Sequence, residues 1–258
     1  MHHNPVIDCL MNRKSLRKYK DATPDHEIIE TVVRAGQQAP FASQLSSVVY
    51  QTGKKFAFGA PLWFLICVDA HKLERFMQLR GWEIVTNDLT LLLFGIQDAS
   101  YMAQNMVIAA ESLGMGSCFL GEGSINAKRI THLAKQLHLP NRVLPMVELV
   151  MGYPDESCPI RPRYPMEFTL FRDRYPELKD EEVHRAMKVM DNGYIDQGYY
   201  KKQKAKIRLE NGSQDPFTYD DYGWAEHIAR KWGQWMESPN DLIEALQARG
   251  FSLSKKQP

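Results

Sequence analysis

The chain has 258 residues, 44% of them hydrophobic, with 32 Lys and Arg against 31 Asp and Glu and a formal net charge of +1. That composition is globular rather than disordered, and it lacks the broad basic field of most nucleic-acid binders. Cys9, Cys67, Cys118 and Cys158 are widely spaced with no CxxC or zinc-like grouping, which points to a reduced, cytoplasmic setting, and MHHNPVIDCL has no apolar stretch of signal-peptide length.

In chain order, residues 5–12 read as a short helix leading into RKSLRKYKD (13–21), where five cations and one acid share nine residues. Thr23-Pro24-Asp25 before Ile28, Ile29, Val32 and Val33 reads as a capped helix start with Pro in the first turn, ending near Gln38 before Pro40. SSVVYQT (46–52) and PLWFLICVDA (61–70) are β-branched and aromatic, hence strands, and 71–81 suits a helix. A long apolar helix follows at 88–113 and ends at Gly114. Gln97, Asp98, Gln104, Asn105 and Glu111 interrupt it, so it is a core helix and not a membrane span. GMGSCFLGEGSIN (114–126) is a short strand bracketed by glycines, 126–137 a helix, and LPMVELVMGY (144–153) a core strand. Helix and strand mix without regular alternation, so the class is α+β.

After Pro154 the chain turns proline-rich and irregular to about 176, then polar and helical, with YYKKQKAKIR (199–208) and the tryptophans Trp224, Trp232 and Trp235. The expected organisation is a core over 1–176 and a helical extension over 177–258 packed on it, serving as one functional domain.

Two short basic motifs carry most of the chemistry. In an extended RKSLR, Arg13, Ser15 and Arg17 project to one side, two guanidinium forks around a hydroxyl, which suits a phosphate. On the local sequence alone a solvated basic turn is the simpler reading. IRPRYP (160–165) repeats the spacing with Arg161 and Arg163, and the two pairs together suggest one shared anion. GMGSCFLGEG is neither a Walker loop nor a GxGxxG fingerprint; it is either a buried strand between tight turns or a place where Gly121-Glu122-Gly123 brings backbone N–H groups close to a flat ligand. APFASQLSS (39–47) is either an ordinary connection or a loop lying along a cofactor. There is no GxSxG, no HExxH and no ligand spacing among the histidines. What remains is a small anionic ligand that brings its own chemistry.

RKSLRKYKD before a capped helix, the AP-plus-small-residue loop, DASYMAQNMVIAAESLGMGSCFLG, LPMVELVMGYPDE and IRPRYP together resemble the nitroreductase family of FMN flavoproteins, most of all its oxygen-insensitive NADPH nitroreductases and the flavin reductases of luminous bacteria. The resemblance spans most of 8–176 and continues through GWAEHIARK (223–231). It implies a mixed sheet wrapped by helices, a long central helix at the interface of a homodimer, and active sites between subunits. By the same resemblance Arg13, Lys14 and Ser15 hold the ribityl-phosphate side of FMN, and Arg17 lies at the flavin N1/O2 edge. Arg161 and Arg163 form the second phosphate-binding pair. Phe119, Gly121, Glu122 and Gly123 form the loop over the flavin, with backbone N–H toward N5. Pro40, Phe41, Ala42, Ser43 and Gln44 reach the flavin from the partner subunit, and Lys54 sits near a polar flavin contact. The implied activity passes hydride from NADPH or NADH through FMN to nitroaromatics, quinones or flavins by a ping-pong sequence. Lys201, Lys202, Lys204, Lys206 and Arg208 are candidates for the 2′-phosphate of NADPH. The competing readings are a flavin reductase or a specialised flavin chemistry on the same fold, a non-enzymatic flavin-binding regulator, and a nucleic-acid module using YYKKQKAKIR, which the near-zero net charge disfavours. No metal and no membrane enter the expected picture.

Overall fold

The computed structural model describes residues 2–234 and 239–253. Helix α1 (Pro5–Asn12) starts where Asn4 accepts a hydrogen bond from the Ile7 N–H at 2.9 Å. Helix α2 (His26–Gln37) is capped in the same way by Asp25, on the Ile28 N–H at 2.8 Å. Pro24 therefore precedes the cap and is not in the first turn, a small correction to the sequence expectation. Strands β1 (Ser46–Gln51) and β2 (Leu62–Asp69) follow, then α3 (His71–Leu79) and the long α4 (Asp88–Ser112). Past the end of α4, Gly114 takes φ 75°, the left-handed conformation that glycine adopts without steric cost. Strand β3 (Gly116–Leu120) runs into a 3-10 turn over Gly121–Gly123, then α5 (Ala127–Gln136) and β4 (Val143–Gly152). The remaining helices are α6 (Asp180–Asp196), α7 (Tyr199–Gln203), α8 (Trp224–Gly233) and α9 (Pro239–Ala248).

The sheet order is β1-β2-β4-β3, and every pairing between these strands is antiparallel. The four-stranded sheet is thus antiparallel; an isolated parallel bridge between Ser15 and Ser117 lays the basic segment beside β3. All of β2 is buried, and its alternating side chains feed two cores. Leu62, Phe64 and Ile66 meet Ile29 and Val32 of α2 and Ala99, Met102, Met106 and Val107 of α4. Trp63, Leu65 and Cys67 meet Leu16, Tyr19, Leu133 and Val150 on the other face. Helix α4 crosses the sheet closely because residue 95 is glycine; a Cβ there would collide with Val68.

The chain divides into two units: Met1–Cys158 with Glu237–Pro258, and Pro159–Met236. The sequence places its boundary after 176 and leaves the whole tail in the extension. In the structure the last helix belongs to the first unit, where Ala245 and the fully buried Phe251 share a core with Val68, Leu92, Ile130 and Leu144. Arg142 ties this return. Its Nη1 lies 2.8 Å from Asp88 Oδ1 and donates to the Gly250 carbonyl, and its Nε makes a charge contact with Glu74 Oε1 at 2.7 Å. The second unit is organised around Arg230, which is 4% exposed and donates to Asp215 through Nη1 and Nη2, to Glu226 through Nε and to the Ile207 carbonyl. Trp235 lies outside the described residues. Among the described residues no helix is long and apolar enough to cross a membrane.

Candidate functional site

The basic segment is held by its backbone and leaves its cations available. Leu16 is buried, its N–H donates to the Ser117 carbonyl at 2.9 Å, and Lys20 N–H donates to Tyr153 O at 2.8 Å. Tyr19 Oη donates to the Leu16 carbonyl at 2.7 Å. The Arg17 N–H donates to Glu156, and its guanidinium lies 5.6 Å over the Phe58 ring. Lys18 pairs with Asp155 at 3.1 Å, but among the described residues Arg13, Lys14 and Arg17 make no ion pair. The Glu111 carboxyl is raised by burial, and the charges of Arg13 and Lys14 oppose that rise; its Oε1 is buried without a hydrogen-bond partner. Burial also raises the Cys118 thiol, while Arg17 and a hydrogen bond from the Ser15 hydroxyl pull it down. The Ser15 carbonyl accepts from Cys158 Sγ at 3.8 Å.

β3 carries half-buried Phe119 to the edge of the α4 core and ends in the glycine turn. A Cβ on Gly121 would enter open space, with nothing within 4 Å. Gly123 is buried beside β4, and Glu122 is exposed. Beneath the turn, Glu148 of β4 is 3% exposed and accepts from Trp63 Nε1 at 2.8 Å and from Arg129 Nε at 2.7 Å.

Pro40, Phe41, Ala42, Ser43 and Gln44 form an exposed loop, with Gln44 at φ 52°. Asp98 of α4, 2% exposed, holds it by accepting from the N–H groups of Ala42, Ser43 and Leu45 at 2.6, 3.2 and 2.8 Å. A cavity of ≈ 80 Å³ beneath the loop is lined by Pro40, Phe41, Gln44, Lys72, Asp98 and Met102. Lys54, exposed in the β1–β2 connection, lies 5.1 Å over Phe56.

Arg161 and Arg163 belong to the second unit, and each has its own local partners. Arg161 donates to Gln197 Oε1 at 2.6 Å and lies 4.1 Å over Tyr199. Arg163 turns back on the carbonyls of Arg161 and Pro162, at 2.9 and 3.0 Å. A larger concavity in the first unit, ≈ 550 Å³ between α5 and α9, is lined by residues such as Lys128, His132, Lys135 and Glu244 and by none of the expected flavin residues.

Sequence reasoning missed the supporting residues. Asp98 and Glu111 drew notice only as polar breaks in an apolar helix. Glu148 is a lone acid inside LPMVELV, a signal that was there to be weighed, whereas nothing local marks Arg129.

A long helix across a small antiparallel sheet, a basic strap on the edge strand and a glycine turn after that strand define a class of protein. The chain belongs to the nitroreductase family, whose model matches residues 49–153. Among its relatives, a Cr(VI) reductase of Pseudomonas sp. (strain G-1) is 30% identical over 80% of this chain and 88% of its own length. The oxygen-insensitive NADPH nitroreductase of Salmonella typhimurium is 28% identical over 96% and 99%. The solved structure of NfrA2 from B. megaterium superposes with a TM-score of 0.82 at 23% identity, covering 98% of this chain and all of that one, and shares the fold.

Proposed function

We propose that the protein is an FMN-dependent NAD(P)H oxidoreductase of the nitroreductase type, reducing nitroaromatics, quinones or flavins. Relatives named NADPH nitroreductase and FMN reductase (NADPH) support that activity, with NADPH and a flavin as its partners. The observation that carries the site is the set of side-chain cations at Arg13, Lys14 and Arg17, with no ion-pair partner among the described residues, on a strap fixed to the strand that ends in the glycine turn. This donor set fits a flavin phosphate and ring, and the open space over Gly121 fits a flat ligand. FMN, when bound, supplies the two-electron hydride chemistry.

Arg13, Lys14 and the Ser15 hydroxyl bind the phosphate side. Arg17, steadied by Phe58 and by its backbone bond to Glu156, sits at the pyrimidine edge, where a cation stabilises the charge gained on reduction. The backbone N–H groups of Gly121–Gly123 and the side chain of Phe119 orient the ring, and Lys54 adds a polar contact. Arg161 and Arg163 enter this reading from the sequence alone. Donor and acceptor take turns in one cleft, a ping-pong sequence.

The exposed loop Pro40–Gln44 and the apolar stripe Leu89, Leu93 and Ile96 on α4 support a homodimer in which that loop serves the partner's flavin. The two units act as one functional domain in the cytoplasm, with NADPH as the leaning choice of donor.

The purified protein is expected to be yellow, and anaerobic titration with NADPH and NADH to bleach it and rank the two donors. Arg17→Ala and Arg163→Ala are expected to lose FMN on gel filtration. Unchanged FMN content in both would remove their assigned roles, and a colourless protein that cannot be reconstituted with FMN would remove the function.

A further inference from the structure

We infer that the Arg129–Glu148 ion pair pins the Gly121–Asn126 turn to the sheet and keeps the charge beneath it balanced, so that both are positioning residues for the bound cofactor. This rests on the FMN reading above.

Glu148 sits inside the sheet, between Leu65 of β2 and Leu120 of β3 in register. A carboxylate so placed is costly unless its oxygens are satisfied. Here Oε2 accepts from Trp63 Nε1 at 2.8 Å and from Arg129 Nη2 at 2.5 Å, while Oε1 accepts from Arg129 Nε at 2.7 Å. The contact is a bidentate fork, the strongest form of the pair. Its effect on the arginine is direct: the hydrogen bond to Glu148 raises the Arg129 pKa.

The two residues of the fork meet the turn through the Arg129 backbone and through Glu148. The Arg129 N–H donates to Asn126 Oδ1 at 2.9 Å, and the Asn126 N–H donates to the Glu122 carbonyl at 3.1 Å. The turn therefore closes on itself at one end and, at the other, caps α5 on the backbone N–H of Arg129, the residue whose guanidinium grips Glu148. On its inner side Gly123 lies against Glu148; a Cβ there would meet the Glu148 nitrogen at 3.7 Å. The exposed Glu122 adds a second negative charge facing Arg129. What the ion pair adds is a fixed geometry and a balanced charge under the segment whose N–H groups face the ring.

The test is a charge cycle read on the FMN-loaded protein as the midpoint potential of the bound flavin. Glu148→Gln keeps an acceptor for Trp63 and removes a negative charge, so the potential rises. Arg129→Gln leaves the carboxylate unbalanced, so the potential falls. Each shift corresponds to about tenfold in the ratio of reduced to oxidised flavin, or about 30 mV for a two-electron couple. The double variant returns to the wild-type value. A purely structural role would lower stability in both single variants without giving shifts of opposite sign. If Arg129→Gln does not fold, Glu148→Gln and the double variant decide alone, raised and then restored. Yellow variants with shifts absent or of equal sign overturn the inference by itself. A colourless wild-type protein overturns the FMN reading and this inference with it.

Discussion

Asp98 shows how one buried side chain can shape a loop that carries none of its own support. Its carboxylate takes three backbone N–H groups of the segment after α2, which otherwise lies exposed with Phe41 at the surface. Asp98→Ala is expected to lower stability by about 3 kcal/mol, since hydrogen bonds to a charged acceptor are worth roughly 1.5–3 kcal/mol and the vacated site stays buried. Asp98→Asn keeps one acceptor and should cost about half as much; urea midpoints at constant slope check both. Cys67 offers a second residue-scale test. Burial pushes its thiol from the ordinary 9.0 up to about 12, helped by the neighbouring Asp69. The unfolded chain ionises first, so stability is full below pH 9 and declines from 9 to 12. Cys67 should resist a thiol reagent at pH 8 until the protein is unfolded, as mass spectrometry of the labelled peptide will show. None of this was legible beforehand. Asp98 reads in the sequence as a blemish on an apolar helix, because what it serves lies 53 residues or more away along the chain.

Elements were far more legible than partners. The unbroken apolar run of β2, the Asn and Asp caps of α2, α4 and α5, and Gly114 after α4 are local signals with local causes, and the structure places each element within a residue or two of its expected bounds. The 204–223 segment, expected to be mostly helical, is instead irregular, tied within itself by Lys206 on Asp215 and from α8 by Arg230 on the same carboxylate. The Asp215 carboxyl is held well below the usual range, by hydrogen bonds from Arg230 first and Lys206 second. His227 of α8 stacks on Tyr200 of α7 at 4.5 Å, with Nδ1 3.4 Å from Tyr222 Oη. Burial, and then the charge of Lys231, lower its pKa below 6.5. The unfolded histidine takes a proton first as the pH drops, so the stability from the neutral ring is present above about 6.5 and is lost through the lower folded pKa. Amide exchange in α7 and α8 should therefore speed up between pH 7 and 5, and His227→Gln should flatten that dependence. An exchange profile that does not change with pH in the wild type, after correction for intrinsic rates, would refute it.

At the scale of the whole molecule, two surfaces matter. Leu89, Leu93 and Ile96 project from α4 at 54%, 53% and 43% exposure, one stripe at helical spacing. If the proposed homodimer forms through this face, Leu93→Glu is expected to give a monomer by sedimentation where the wild type sediments as a dimer, and to weaken FMN binding at least tenfold; a variant that stays dimeric would refute the assigned face. The other surface is internal. Arg142→Met would leave Glu74 and Asp88 unbalanced where the last helix closes on the core, at a cost of about 3–5 kcal/mol in a denaturant titration. The amphipathic spacing of Leu242, Ala245 and Leu246 marks a helix but does not say which core it completes, which is why the sequence leaves it with the extension. Its return has a consequence for synthesis. Arg142 meets the Gly250 carbonyl across 108 residues, and Phe251 fills a cavity whose other walls are made much earlier. While the second unit is leaving the ribosome, Val68, Leu92, Ile130 and Leu144 lack the cover that Ala245 and Phe251 supply. The first unit thus waits for residues about a hundred positions further along the chain, and a premature stop codon after Asn240 would yield a product for chaperones and proteases rather than a shorter enzyme.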